Sequence, residues 1–296
     1  MKVVVTGGHG QLGRSLVRRA GGAGQDLVAV GRDLLDVADP AAVAAQLDRL
    51  APAAVINAAA YTAVDRAEHD RGAAFAVNAV GAGHLARACA ARGIALLHVS
   101  TDHVFDGRAT RPYLEDDAVA PLGVYGASKA AGEVAVLAAG GTVVRTSWLF
   151  AEGGRGFVPA IVRAALAGER LRVVADRHGC PTWSDDLAEA LLSLAARPAP
   201  AGVYHYAGDG ATTWHGLAVA IVEELQAHHG LAPTAVEPIP SAAWGSIAPR
   251  PAYAVLDTAR IRALGVVPGG WRRAIGRVVT RATAAAGPRR DHSSEP

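Results

Sequence analysis

The feature that most constrains this chain is a strand, a glycine turn and a helix start packed into its first residues. Val3-Val-Val-Thr6 runs into Gly7-Gly-His-Gly10-Gln11-Leu12-Gly13, a Gly7-x-x-Gly10-x-x-Gly13 spacing at the mouth of an amphipathic segment. Gly7 allows the tight turn, Gly10 lets backbone amides approach a pyrophosphate, and Gly13 lets the helix pack close to the strand. The helix N-terminus adds its dipole in favour of an anion. A bare glycine pattern says little, but on a first apolar strand it predicts a dinucleotide-binding βα unit. His9 reads as a loop residue facing solvent.

The rest of the chain repeats that rhythm. Apolar runs at Lys2–Thr6, Leu27–Val30, Ala54–Asn57, Ile94–Ser100, Thr142–Thr146 and Leu171–Val174 are strand-like. Helical patterns lie between them, at Gln11–Ala20, Pro40–Leu50, Arg71–Ala91, Leu122–Ala139 and Val158–Ala167. Continuous apolar strands alternating with amphipathic helices predict an α/β fold, a doubly wound parallel (Rossmann) sheet covered on both faces, with ligands at the carboxyl ends of its strands. The C-terminal third breaks the rhythm. A strand at Val203–Tyr206, a helix at Thr213–His229, a Pro-rich connection at Pro233–Pro251 and a short helix near Asp257–Leu264 predict a smaller C-terminal substrate lobe. The expected division is 1–147 plus about 171–198 for the dinucleotide-binding domain, and about 148–170 plus 199–286 for the substrate-binding lobe. Residues 287–296 read as a polar, flexible tail.

Composition excludes several functions. Half the 296 residues are hydrophobic (51%), and the formal net charge is +2 with no basic run long enough to suggest a nucleic-acid face. No stretch of about 18 apolar residues is free of charges or breakers, so no membrane span is expected. Met1-Lys2 leads straight into a strand without a signal peptide, and Cys89 and Cys180 have neither metal-ligand nor disulfide-framework spacing. The expected setting is cytoplasmic. The histidines, including His98, His103 and His228-His229, form no metal-ligand pattern, so no metal site is assigned.

Tyr125-Gly-Ala-Ser-Lys129 opens a helical pattern, and residues at i and i+4 share a helix face. An ammonium beside a phenol stabilises phenolate and makes tyrosine a usable proton donor or acceptor. Among 29 basic residues only Lys2 and Lys129 are lysines, so a lysine at this position suggests that Arg would not serve. Ser100-Thr101-Asp102 ends the fourth strand, at the face where ligands bind.

Together, Gly7-x-x-Gly10-x-x-Gly13, Asn57-Ala58-Ala59-Ala60, Thr101 and Tyr125-x-x-x-Lys129 resemble the extended short-chain dehydrogenase/reductase superfamily. Within it, Val55–Glu68, Ser100–Gly107, Arg145–Phe150, Gly179–Thr182 with Asp186-Leu-Ala188, and Arg250-Pro-Ala-Tyr253 look like the dTDP-4-dehydrorhamnose reductase family. The resemblance implies NADPH-dependent reduction of the 4-keto group of a dTDP-linked deoxysugar, with dTDP-4-dehydro-L-rhamnose as substrate and another dTDP-4-keto sugar, streptose-like, as the alternative. It implies Thr101, Tyr125 and Lys129 as catalytic residues. It places the cofactor on Gly7, Gly10, Gln11, Leu12, Arg32, Asp36, Val37, Ala58, Ala59, Ala60, Tyr125 and Lys129. It places the sugar nucleotide on Thr62, Asp102, His103, Trp148 and Arg250. Some relatives bind magnesium at a subunit contact, but no such site is located in this chain; a homodimer is the expected assembly.

Two positions depart from the family pattern. His103 stands where the family usually has Tyr, which bears on the identity of the sugar. Arg177 stands where it has Gln, and either meets a diphosphate or faces solvent. The second strand ends in Gly31-Arg32-Asp33. Arg32 would pair with a 2′-phosphate and select NADPH, with NADH still usable, whereas Asp33 shifted by one residue would bind the ribose and favour NADH. Two other functions fit the fold. A dehydratase or epimerase would typically carry an Asp-Glu pair after the Thr, where this chain has Asp102-His103. A non-catalytic regulatory subunit would not need the intact Thr101, Tyr125 and Lys129.

Overall fold

The computed structural model describes residues 1–152, 156–197 and 199–286; the tail assigned to 287–296 lies outside them. Five strands fall where continuous apolar runs predicted them: β1 Val3–Thr6, β2 Leu27–Val30, β3 Ala54–Asn57, β4 Ala95–Thr101 and β5 Thr142–Thr146. The first helix, α1, runs Gln11–Gly22, and α2, Pro40–Leu50, is capped by the Asp39 carboxylate accepting from Ala41 and Ala42 N–H. The predicted Arg71–Ala91 helix is α3, built from Arg71–Phe75, a π-helical stretch Ala76–Gly81 and Ala82–Ala90. The next, α4, spans Val124–Ala138.

The sixth sheet strand corrects the sequence expectation. Leu171–Val174 (β6) lies outside the main sheet. Its place is taken by β7, Gly202–His205, and the all-parallel order is β7-β5-β4-β3-β1-β2. β6 pairs instead with β8, Val236–Ile239. An apolar tetrapeptide fits either sheet, and the choice is made by the helix that follows. That helix, α6 (Ser184–Ala196), buries Leu187, Leu191 and Leu194 against α1 and the main sheet, and so carries the crossover from β5 to β7.

Between β5 and α6 the chain makes an excursion through α5, Phe157–Leu166, and β6. With α7, Trp214–His228, and α8, Trp271–Ala286, this excursion encloses a second core around Val162, Ile221, Leu225 and Val278. The sheet's order reverses at the carboxyl end of β1, so a ligand crevice opens there, facing the second core.

Candidate active site

A cleft of about 360 Å³ lies at that carboxyl edge. Its walls are the glycine turn (Gly10, Gln11, Leu12), the end of β3 (Ala58, Ala60, Thr62), the end of β4 (Val99 to His103), Tyr125 and Lys129 of α4, and Thr146 to Leu149 after β5. The three expected catalytic residues are therefore together, on three different elements.

The glycine turn is shaped by backbone proximity. Gly7 sits at φ +69, and a Cβ there would fall 2.7 Å from the backbone of Ala58 and Ala59. Any side chain would push β1 and β3 apart. Helix α1 starts at Gly10 without a side-chain cap and without an acidic residue in its first turn, leaving its leading amides and dipole for an anion. A dinucleotide pyrophosphate fits this end of the cleft.

At the tip of β2, Arg32 is exposed and bonded to Asp36 by both Nε and Nη2 at 3.2 Å. Asp33 faces His9 at 3.7 Å. Val37 is buried against Gly81, so its access to an adenine ring is through its main chain. Neither Arg32 nor Asp36 lines the cleft itself.

The polar residues at the end of β4 are buried. Thr101 Oγ donates to Asp102 Oδ1 at 2.9 Å and accepts from His103 N–H at 3.2 Å. Asp102 is pushed up to about 7 by burial, against the pull of Thr101. Burial also pushes the Tyr125 phenol up to about 12, opposed by hydrogen bonding with Thr101 and helped by the Asp102 charge. The expected lowering of Tyr125 by the Lys129 ammonium is thus not what this geometry gives. Lys129 Nζ is drawn instead onto Val99 O at 2.7 Å and His98 Nε2 at 3.1 Å.

His103 packs edge-on to Tyr125, ring centroids 5.4 Å apart, and is pushed down to about 4 by burial and then by Arg250 and Arg177. Neither arginine is among the residues that line the cleft. Arg250 is held by Asp65 at 2.8 and 3.0 Å, and Arg177 donates to the Arg250 carbonyl. The departure residue Arg177 is half-buried, with one guanidinium nitrogen donating to backbone.

Trp148 takes a left-handed backbone, φ +45, an uncommon conformation for a bulky residue. Its ring stacks on Trp214 of α7 at 3.8 Å. A Cβ on Gly179 would fall 2.5 Å from the indole, which is why the Gly179-Cys180-Pro181-Thr182 stretch starts with glycine.

Three contributors escaped the sequence reading. Asn78, in the π-helical stretch of α3, bonds both Tyr61 N–H and Tyr61 O, and donates to Ser128 Oγ in α4. It ties the Ala58–Thr62 loop to the helix that carries Tyr125. A lone Asn in an Ala-rich helix was the available signal, and π-turns recur at functional sites. His98 and the Asn57 side chain are the other two; a histidine inside an apolar strand was the trace they left.

This fold and site define an oxidoreductase of the extended short-chain dehydrogenase/reductase class. The chain belongs to the RmlD substrate binding domain family, whose model matches residues 1–284. A dTDP-4-dehydrorhamnose reductase of Streptomyces griseus is 44% identical over 92% of this chain and 91% of its own. A probable dTDP-4,6-dihydroxy-2-methyloxan-3-one 4-ketoreductase of Streptomyces antibioticus is 43% identical over 93% of each. The crystal structure of a Bacillus anthracis dTDP-4-dehydrorhamnose reductase in complex with NADP superposes with a TM-score of 0.87 at 32% identity, covering 95% of this chain and 99% of that one. Among the described residues no cluster of three or more His, Cys, Asp or Glu is placed to hold a metal, and no helix is long and apolar enough to cross a membrane.

Proposed function

We propose that the protein reduces the 4-keto group of a nucleotide-linked deoxysugar with NADPH, converting dTDP-4-dehydro-L-rhamnose to dTDP-L-rhamnose. The observation that carries this reading is that the glycine turn, Thr101, Tyr125 and Lys129 line one cleft together with His103 and Trp148.

When bound along the glycine turn, the nicotinamide cofactor supplies the hydride. The chain's own residues do the rest. The α1 amides and the Gly7–Leu12 backbone hold the pyrophosphate, and Ala58, Ala59 and Ala60 shape the floor under the cofactor. Tyr125, holding its proton firmly at neutral pH, donates it to the strongly basic oxygen that forms at C4. Thr101, on the cleft wall with Tyr125, orders Asp102 through the hydrogen bond from its hydroxyl to Oδ1. Trp148, stacked on Trp214, closes the sugar side of the cleft, with Thr62 and His103 at its rim. Arg250, paired with Asp65, sets the charge near His103. A dehydratase reading lacks a second acid after Asp102, where His103 is buried and neutral. The same reading places the protein in the cytoplasm as a homodimer, with β7 and α6 in the cofactor lobe and β6 in the substrate lobe.

Two relatives of nearly equal identity are named for different keto sugars, so the sugar is the part to test, together with the cofactor. The expected result is turnover of dTDP-4-dehydro-L-rhamnose with kcat/KM higher for NADPH than for NADH. Arg32→Ala should then cut that preference by roughly 5- to 150-fold, the worth of about 1–3 kcal/mol of charged hydrogen bonding. Turnover of only another dTDP-4-keto sugar would move the substrate and leave the reaction. A wild type favouring NADH would assign the ribose to Asp33.

A further inference from the structure

Four buried groups form one hydrogen-bonded file beneath the cleft: Thr6 of β1, Asn57 of β3, His98 of β4 and Lys129 of α4. None is more than 1% exposed. Asn57 Oδ1 accepts from Thr6 Oγ at 2.7 Å and from Ala59 N–H at 3.1 Å. A backbone N–H has no other role, so it fixes the orientation of the amide, whose Nδ2 then faces His98 Nδ1 at 2.8 Å. An amide NH₂ only donates. Nδ1 must accept, and a neutral ring so held carries its proton on Nε2. Nε2 lies 3.1 Å from Lys129 Nζ. An ammonium has three donors and no lone pair, so it would set donor against donor, whereas an amine has a lone pair to receive the ring N–H. The bond from Nζ to Val99 O is open to either form.

We propose that His98 is a positioning residue for Lys129: Asn57 holds its ring with the proton on Nε2, and that N–H, aimed at Nζ, favours the amine of Lys129 over the ammonium. The remaining charged and titratable neighbours act otherwise. Glu133, one turn along α4, favours the ammonium, but it is bonded by Arg145 of β5 at 2.7 and 2.9 Å. Tyr125 lies one turn earlier on α4, Asp102 follows β4, and β3 presents only the neutral Asn57. Burial acts in the same direction as His98, bringing Lys129 down to about 8, and keeps His98 itself neutral, well below its ordinary value. The catalytic consequence rests on the ketoreductase reading: an amine at Lys129 leaves the Tyr125 phenol without a neighbouring ammonium to draw its proton off, so Tyr125 keeps that proton to give to the C4 oxygen.

Because Lys2 and Lys129 are the only lysines, the intact protein labelled with ¹³C-lysine gives two Cε signals, separated by a Lys2→Arg variant. The Lys129 signal is expected to titrate near 8, and ¹⁵N-histidine spectra should show His98, assigned through the backbone, protonated on Nε2 alone. In His98→Leu the Lys129 titration should move up by about one pH unit or more. A wild-type ring protonated on Nδ1 overturns the proposal, as does a Lys129 titration unmoved by His98→Leu. The ring spectrum decides the matter even if that variant does not fold. No sugar enters these measurements, so their failure is distinct from failure of the ketoreductase reading, which shows as keto sugars left unreduced.

Discussion

Replacing Tyr125 by Phe lowers kcat by about 10²–10⁴-fold, the usual cost of losing a general acid. The ring, its burial and its edge contact with His103 are kept; only the hydroxyl goes. The other two expected catalytic residues are engaged elsewhere. Thr101 is tied to Asp102, and Lys129 to Val99 and His98. The loss falls on the transition state, so KM for the sugar should stay nearly unchanged. Steady-state kinetics at saturating NADPH measure it, and a Tyr125→Phe protein with near-normal kcat would remove Tyr125 from the chemistry.

The largest effect on stability is expected at Arg145 of β5. Its side chain is 3% exposed and that of its partner, Glu133, 4%, and they meet through Nε and Nη2 at 2.9 and 2.7 Å. Arg145 also reaches the Glu115 carbonyl at 3.3 Å and stacks over Phe105. Arg145→Ala leaves Glu133 charged, buried and unpaired, at a cost of about 3–5 kcal/mol. The melting temperature should fall by on the order of 10 °C. Pairing Arg145→Met with Glu133→Leu should recover part of that, because two apolar groups leave no stranded charge. Denaturant unfolding of the three proteins checks both statements. An Arg145→Ala loss below about 1 kcal/mol would mean that water reaches Glu133.

Much of this fold was legible because the strands of a buried parallel sheet are continuous apolar runs. Val3–Thr6, Leu27–Val30, Ala54–Asn57 and Thr142–Thr146 announce themselves that way. Leu171–Val174 has the same appearance and belongs to another sheet, since composition specifies a strand but not its partner. Two helices that decide the architecture, Ser184–Ala196 and Trp271–Ala286, went unread. The first carries Asp185 and Asp186 in its opening turn and follows directly on a two-residue strand, Thr182–Trp183, so its apolar stripe hides behind irregular flanks.

At the site, residues with motif spacing came through: Thr101, Tyr125 and Lys129 line one cleft. What spacing could not convey was direction. That Lys129 Nζ is bonded to Val99 O, Arg177 to the Arg250 carbonyl and Arg250 to Asp65 follows from contacts 30 to 185 residues apart in the chain.

The central claim is that a hydride is delivered to C4 of a keto sugar, and one isotopic measurement tests it most directly. The protein is incubated with dTDP-4-dehydro-L-rhamnose and NADPH deuterated at the transferable nicotinamide position, and the product is examined by NMR. The account predicts dTDP-L-rhamnose with a single deuterium at C4, formed in step with NADPH oxidation. A sugar that comes back dehydrated or epimerised without deuterium, while the NADPH is unchanged, would contradict it.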